Sequence, residues 1–228
     1  MDITLMLALG FVWYQVIAHI GISLGLHRYW AHRAFIAGPT FEIITLYMST
    51  LAGARSPIGW IAAHRMHHHH SDTDQDPHSP NIKGFWTILF SLWAIPNISP
   101  KYSKDLFKNP RIVFFHNHWK SIWASSAICV FLISPYLFVA IIIVPAILAP
   151  IGFGLVNAVT HKNNTVKNVP WINILVAGEG YHSGHHSGSI VRYHKHDHTG
   201  WALEKLIQLG MFKSNEKRQN KKSAVSIN

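Results

Sequence analysis

The sequence predicts an all-α integral membrane protein with about three transmembrane helices, interfacial helices and a helical cap on the cytoplasmic side. Three observations carry this expectation. Of the 228 residues, 49% are hydrophobic and only 13% charged, a balance too apolar for an ordinary soluble domain. The apolar residues also gather into long uncharged runs, from Ile3 to His27 and from Lys120 to His161. Finally, histidines recur at i, i+3 and i+4, first at His64, His67 and His68 and again at His182, His185 and His186. Side chains so spaced share one face of a helix.

Residues 3–26 begin next to the initiator Met and lack the basic segment and small-residue cleavage site of a signal peptide, so they form a retained span. His19 within it reads as a hydrogen-bonded packing residue. Only Asp2 is charged before this span, whereas Arg28 and Arg33 follow it, which places the N-terminus outside and the pair His27 and His32 in the cytoplasm. Between Phe35 and Trp60 the uncharged stretch runs only from Glu42 to Arg55, too short to cross, and predicts an interfacial or cap helix. Parity agrees: if His27 and His32 are to meet His64, His67 and His68, the intervening chain crosses the membrane zero or two times. Gly84 to Pro100, interrupted at Pro96, predicts an interfacial helix bearing Phe85, Trp86, Phe90 and Trp93.

The run from 120 to 161 is long enough for two passes, divided at Pro135 and Tyr136, and returns the chain to the cytoplasmic face. Asn157 and His161 lie four apart where its second limb leaves the membrane; alone, His161 reads equally as a helix-end cation. Leu203, Leu206 and Leu209 predict a last helix ending at Gly210. Residues 1–212 thus form one domain, and 213–228 a basic, disordered tail that holds the C-terminus on the cytoplasmic face.

A net charge of +10 with histidine neutral suits a membrane protein whose basic residues face anionic lipid heads. Nucleic acid is excluded as a partner, because no aromatic-basic interleaving accompanies the basic tail. The single cysteine, Cys129, rules out a disulfide framework and a Cys-type zinc site.

Nine imidazoles come to one side of the membrane: His27, His32, His64, His67, His68, His161, His182, His185 and His186. That is too many for one ion. A membrane zinc hydrolase needs about three protein ligands and an open position, and a metal transporter would put polar ligands along the spans; two irons would use about eight to ten ligands. Two adjacent irons can activate dioxygen reductively and remove hydrogen from an unactivated C–H bond. At a membrane surface the substrate is an acyl chain. Asp72, Asp74 and Asp76 imitate the start of a calcium loop, but Pro77 stands where the turn glycine is needed and Lys83 where the bidentate Glu belongs. Asp72 and Asp76 instead orient ligand imidazoles or cap the helix, with Glu179 similarly placed beside the last cluster. Arg65 is either a solvated face residue or a partner for those carboxylates. His69 and His70 lie off the ligand face. His78, His116, His118, His194, His196 and His198 read as surface or supporting residues, the last three as sites for adventitious metal.

The segments HRYWAHR, HRMHHHHSDTDQDPH, NAVTH and GEGYHSGHH resemble, in order, the HxxxxH, HRxHHxxxDxxxDPH, NxxxH and GEGxHxxHH boxes of the membrane fatty-acyl desaturase family, which includes stearoyl-CoA desaturase and bacterial Δ9 acyl desaturases. The resemblance runs from about residue 10 to Leu209. It implies a mushroom-shaped helical protein whose cytoplasmic cap holds two iron ions through the nine histidines, with Asn157 joined to one iron through water. It also implies O2 as co-substrate, insertion of a cis double bond into a fatty-acyl chain, and a separate electron donor of the ferredoxin or cytochrome b5 type, since this chain has no haem or iron–sulfur motif. Hydroxylation and alkene-forming decarboxylation share the same hydrogen abstraction, and zinc can stand in for iron in a purified preparation. Family chains have a further span before the one that ends at the first box, leaving three here. The animal acyl-CoA enzymes carry an Arg-Asp pair where this chain has Ala62 and Ala63, so the acyl carrier stays open among CoA, carrier protein and lipid.

Overall fold

Two apolar helices frame the protein, and both deliver their C-terminal ends to the histidines. A computed structural model describes residues 2–92, 97–188 and 190–215. Helix α1 covers Ile3–Ala31 and passes from α to π winding at Ala18. Many of its early apolar side chains, Ile3, Leu5, Leu7, Leu9 and Val12 among them, are exposed, a surface that water does not favour. After a two-residue strand β1, Phe35–Ile36, helix α2 spans Pro39–Leu51. It has one face exposed, at Ile43, Ile44 and Tyr47. It runs antiparallel along the π half of α1, with Glu42 at Tyr29, Thr45 against Gly25 and Ser49 against Gly21. A Cβ at Gly21 would meet the Ser49 backbone nitrogen at 2.7 Å, and one at Gly25 would meet the Thr45 Cβ at 2.6 Å, so glycine sets this close approach.

The chain turns at Gly53, φ 73°, and returns as α3, Pro57–His70. Ser56 caps α3 by accepting from the Gly59 N–H at 3.0 Å, and Pro57 opens it, a start signal in chemistry and position. The hairpin of α2 and α3 therefore brings His64 and His68 back beside His27 and His32.

Short helices α4, Pro80–Lys83, and α5, Phe85–Leu89, follow. The aromatic interfacial helix expected from Gly84 to Pro100 is thus only five residues long, ending before Ser91 at φ 52°; Trp93 and Pro96 lie outside the described residues. Helix α6, Pro110–Ile133, starts ten residues before the expected limb. It has the length to cross a bilayer, but Arg111, His116, His118 and Lys120 make its first half polar. Two of the described helices, α1 and α7, Pro135–Thr160, are both long and apolar enough to cross, rather than the three expected. The break at Pro135 is as expected, with Ser134 capping α7.

Glu42 ties three helices together. It accepts from Tyr29 Oη at 2.7 Å and Asn109 Nδ2 at 3.0 Å and pairs with Arg111. Beyond α7 come a small β2–β3 hairpin, His161–Lys162 with Thr165–Val166, then α8, His182–His186, and α9, His198–Gln208. Strand β4, Lys213–Ser214, pairs antiparallel with β1, and Asn215 N–H donates to the Ala34 carbonyl at 3.2 Å. Residues 213–215 are therefore docked rather than disordered tail, and residues 216–228 lie outside the described residues. The all-helical expectation is correspondingly modified by these two-residue pairings.

Candidate metal centre

The first histidine pair depends on the π winding of α1. In a π-helix the N–H bonds to the carbonyl five residues back, so residue i+5 stands above i as i+4 does in an α-helix. The His32 N–H donates to the His27 carbonyl at 3.0 Å, and the two rings lie 5.0 Å apart. Ordinary α winding would turn these side chains to different faces.

The nine imidazoles separate into two groups. His27, His32, His64, His68 and His185 form one and His67, His161, His182 and His186 the other, the nitrogens within each lying within 4.8 Å of one another. The helices α3 and α8 divide in mirror fashion. From α3 the i, i+4 pair His64 and His68 enters the first group and His67 the second, whereas from α8 the pair His182 and His186 enters the second and His185 the first. His161 arrives from the end of α7.

This donor set fits metal ions. In the first group His185 Nε2 lies 2.9 Å from His27 Nε2 and 2.7 Å from His68 Nε2, and His32 Nε2 lies 2.8 Å from His64 Nε2. A neutral imidazole carries one N–H, so nitrogens converging this way leave lone pairs facing one another unless a cation sits among them. In the second group His67 Nε2 and His161 Nε2 are buried without a hydrogen-bond partner. Their Nδ1 atoms meet Asp76 Oδ2 at 2.8 Å and Asp72 Oδ2 at 3.1 Å. A carboxylate on Nδ1–H fixes the tautomer that turns the Nε2 lone pair inward. Burial, reinforced by neighbouring histidines, holds His64, His67, His68, His182 and His185 well below the usual imidazole range and His186 down to about 2. They are neutral, as ligands must be.

Glu179 does not support the last cluster, next to it in sequence. Its Oε1 lies 3.1 Å from His27 Nδ1 and 2.6 Å from Arg28 Nη1, and Ser23 donates to the same oxygen. Burial opposes its charge, but Arg28 outweighs that and holds the carboxyl down at about 2. Arg28 is fully buried, pairs also with Asp197 at 2.8 Å and lies 4.1 Å from the Tyr193 ring centroid. Arg65 reaches neither Asp72 nor Asp76. It donates to the carbonyls of Trp30, Ala31 and Tyr102 and to Asp105 Oδ1 at 2.8 Å, holding the end of α1 against α3.

Asn157 belongs to neither imidazole group; its Nδ2 donates to the Phe153 carbonyl at 3.0 Å. It lines a cavity of about 190 Å³ whose wall includes Trp60, Ala63, His64, Phe90 and Phe153. His78 is no surface residue. It is buried and stacks 4.3 Å from His67. The His69 and His70 rings lie 4.6 Å apart and tilted, outside both groups, and His194 stacks on Tyr181. Sequence reasoning missed Arg28, Ser23, Tyr193, Asp197 and Asp105. The available signal was Arg28 itself, a charge beside a predicted ligand at the end of an apolar run, for which a buried partner is required.

The apolar frame and the two imidazole groups define a mostly helical protein whose histidine clusters could hold metal. The particular family follows from comparison with known proteins: the fatty acid desaturase family model matches residues 3–209. The chain belongs to the fatty acid desaturase family and is an oxidoreductase. It is 31% identical over 227 residues to the sn-1 stearoyl-lipid 9-desaturase of Anabaena variabilis, covering 92% of this chain and 83% of that protein. Identity to the sn-1 stearoyl-lipid 9-desaturase of Synechocystis sp. is 33% over 193 residues, 78% of this chain and 60% of that one. An acyl-CoA Delta(11) desaturase of Spodoptera littoralis is 27% identical over 209 residues, 75% of this chain and 57% of its own length.

Proposed function

We propose that this protein is an O2-dependent desaturase that places a cis double bond in a long acyl chain carried by a membrane lipid. The observation that carries the reading is the sorting of nine buried imidazoles into two adjacent groups of five and four, with His64 also facing an apolar cavity. The first group would hold one iron and the second another, with Asn157 near enough to the cavity wall to hold water there. When bound, such a pair supplies reductive activation of O2 and removal of hydrogen from an unactivated C–H bond. Asp72, Asp76 and Glu179 hold imidazole protons at Nδ1 of His161, His67 and His27. Trp60, Phe90 and Phe153 exclude water and lay the acyl chain beside His64. Overall, two hydrogens leave adjacent methylenes, and with two electrons and two protons from solution they reduce O2 to two waters.

A lipid carrier is supported by the names of the Anabaena and Synechocystis relatives and by Ala62 and Ala63, which are buried and offer no charge to a CoA head. Helices α1 and α7, with α6 as a third, span the bilayer, the N-terminus outside and the histidines on the cytoplasmic face. The electrons come from a separate ferredoxin or cytochrome b5 type protein. Expression with such a donor, followed by fatty-acid analysis and iron quantitation, tests the reading: a new cis double bond with about two irons per chain is expected, and an unchanged acyl profile from iron-replete protein would refute it.

A further inference from the structure

We infer that the basic pocket floored by His32 and His68 is the docking site for an acidic electron-transfer protein, an inference that rests on the desaturase reading. The pocket encloses about 420 Å³ and is walled by Arg33, Arg65, Lys101, Lys104 and Asp105. Its four cations face one carboxylate. Asp105 is already shared between Arg33 and Arg65, and among the described residues neither Lys101 nor Lys104 has a carboxylate within ion-pair distance. Both lysines are exposed. Two uncompensated positive charges therefore stand at the mouth of an opening whose floor is two imidazoles of the five-histidine group.

The apolar cavity reaches the same group at a different member, His64. The two openings differ in lining: the cavity has one cation, Arg55, among mainly apolar side chains, whereas the pocket has four cations. A methylene chain gains by burial among Trp60, Phe90 and Phe153 and gains nothing among guanidinium and ammonium groups. An electron needs only close approach to a ligand edge, and weak redox encounters use small, charge-steered interfaces. A basic collar around half-buried His68 and buried His32 supplies that steering for a partner with an acidic face.

The test uses the iron-loaded full chain in detergent and a reduced plant-type [2Fe–2S] ferredoxin as probe. The variant Lys101→Glu/Lys104→Glu is compared with Lys162→Glu/Lys167→Glu, an equal charge change on exposed residues of the β2–β3 hairpin, and with the milder Lys101→Gln/Lys104→Gln. At low salt the pocket reversal is expected to raise the ferredoxin Kd at least about tenfold, with the difference shrinking as salt screens it. The glutamine pair should give a smaller rise, the hairpin control less than about twofold, and iron content should match wild type. An unchanged Kd, or an equal rise in the hairpin control, overturns the inference, as does a rise confined to the KM for acyl lipid, which would make the pocket a head-group site. Binding is read without turnover, so absence of product with every reductant would refute the desaturase reading and leave the docking result standing by itself.

Discussion

Asp76→Asn isolates what one carboxylate does for the four-imidazole group. Asp76 is 1% exposed and fully used: Oδ2 accepts from His67 Nδ1 at 2.8 Å and from the Asp72 N–H at 2.9 Å, and Oδ1 accepts from the His78 N–H at 3.0 Å. An amide has one acceptor oxygen in place of two. If its NH2 replaces Oδ2, it confronts the Asp72 N–H and donates to His67 Nδ1, forcing the proton to Nε2, where it blocks ligation. If it replaces Oδ1, it confronts the His78 N–H instead. Either orientation leaves a buried donor unsatisfied, costing about 1–3 kcal/mol of stability. Loss of the orienting carboxylate lowers metal affinity by about ten- to hundredfold, or about 1.4–2.8 kcal/mol. Dialysis against graded chelator, followed by iron analysis, measures this directly. Loss of iron at lower chelator concentration than wild type is expected. A chelator curve superimposed on that of wild type would refute the assigned role.

Other substitutions read different parts of the site. Arg28→Met strands Glu179 and Asp197 as buried charges and should cost about 3–5 kcal/mol, seen as a fall in thermal unfolding temperature; an unchanged transition would show that the network is not held by Arg28. His185→Ala should abolish turnover and reduce bound iron, whereas His69→Ala, outside both groups, should change neither, and iron analysis of the two proteins separates them. Metal-free protein should be destabilised by acid. The fold keeps His64, His67, His68, His182 and His185 neutral below the usual range, while the unfolded chain takes up protons near pH 6.5. Their contribution is therefore level above about pH 6.5 and falls below it, by up to about 1.4 kcal/mol per pH unit for each. Unfolding temperatures that stayed flat from about pH 7 to pH 5 would contradict this.

The nine imidazoles were legible because ligand spacing follows helix periodicity, and four boxes in order left few other readings. Their division was not legible. Whether His67 joins His64 and His68 depends on where α8 and the end of α7 arrive, which local spacing does not encode. The π winding from Ala18 to Ala31 has no signature in an apolar run, so the pair His27 and His32 could be named but not placed. Glu179 was read beside its sequence neighbours, yet long-range packing takes it to His27. Similarly, α2 read as an interfacial or cap helix because its uncharged stretch was too short to span, but that reading did not show that Gly21 and Gly25 let it pack back along α1. The start of α6 was misjudged on composition: Arg111 to Lys120 begin the helix that the apolar stretch after Lys120 completes.

The mirrored use of α3 and α8 binds the two imidazole groups into one device. Each helix gives an i, i+4 pair to one group and a single histidine to the other, so neither group can shift without moving both helices. The outer supports follow the same division. Asp72 and Asp76, on the loop after α3, serve the four-imidazole group, while Glu179, just before α8, serves the five-imidazole group through His27 and is itself held by Arg28, which also pairs with Asp197. Metal in one group therefore orders the helices that build the other, and the second ion meets a site whose ordering cost has already been met. Binding of the two ions should accordingly be cooperative, and a substitution confined to one group, such as His182→Ala, should weaken metal retention in both. Retention of a single ion with wild-type affinity in that variant would show that the groups act independently.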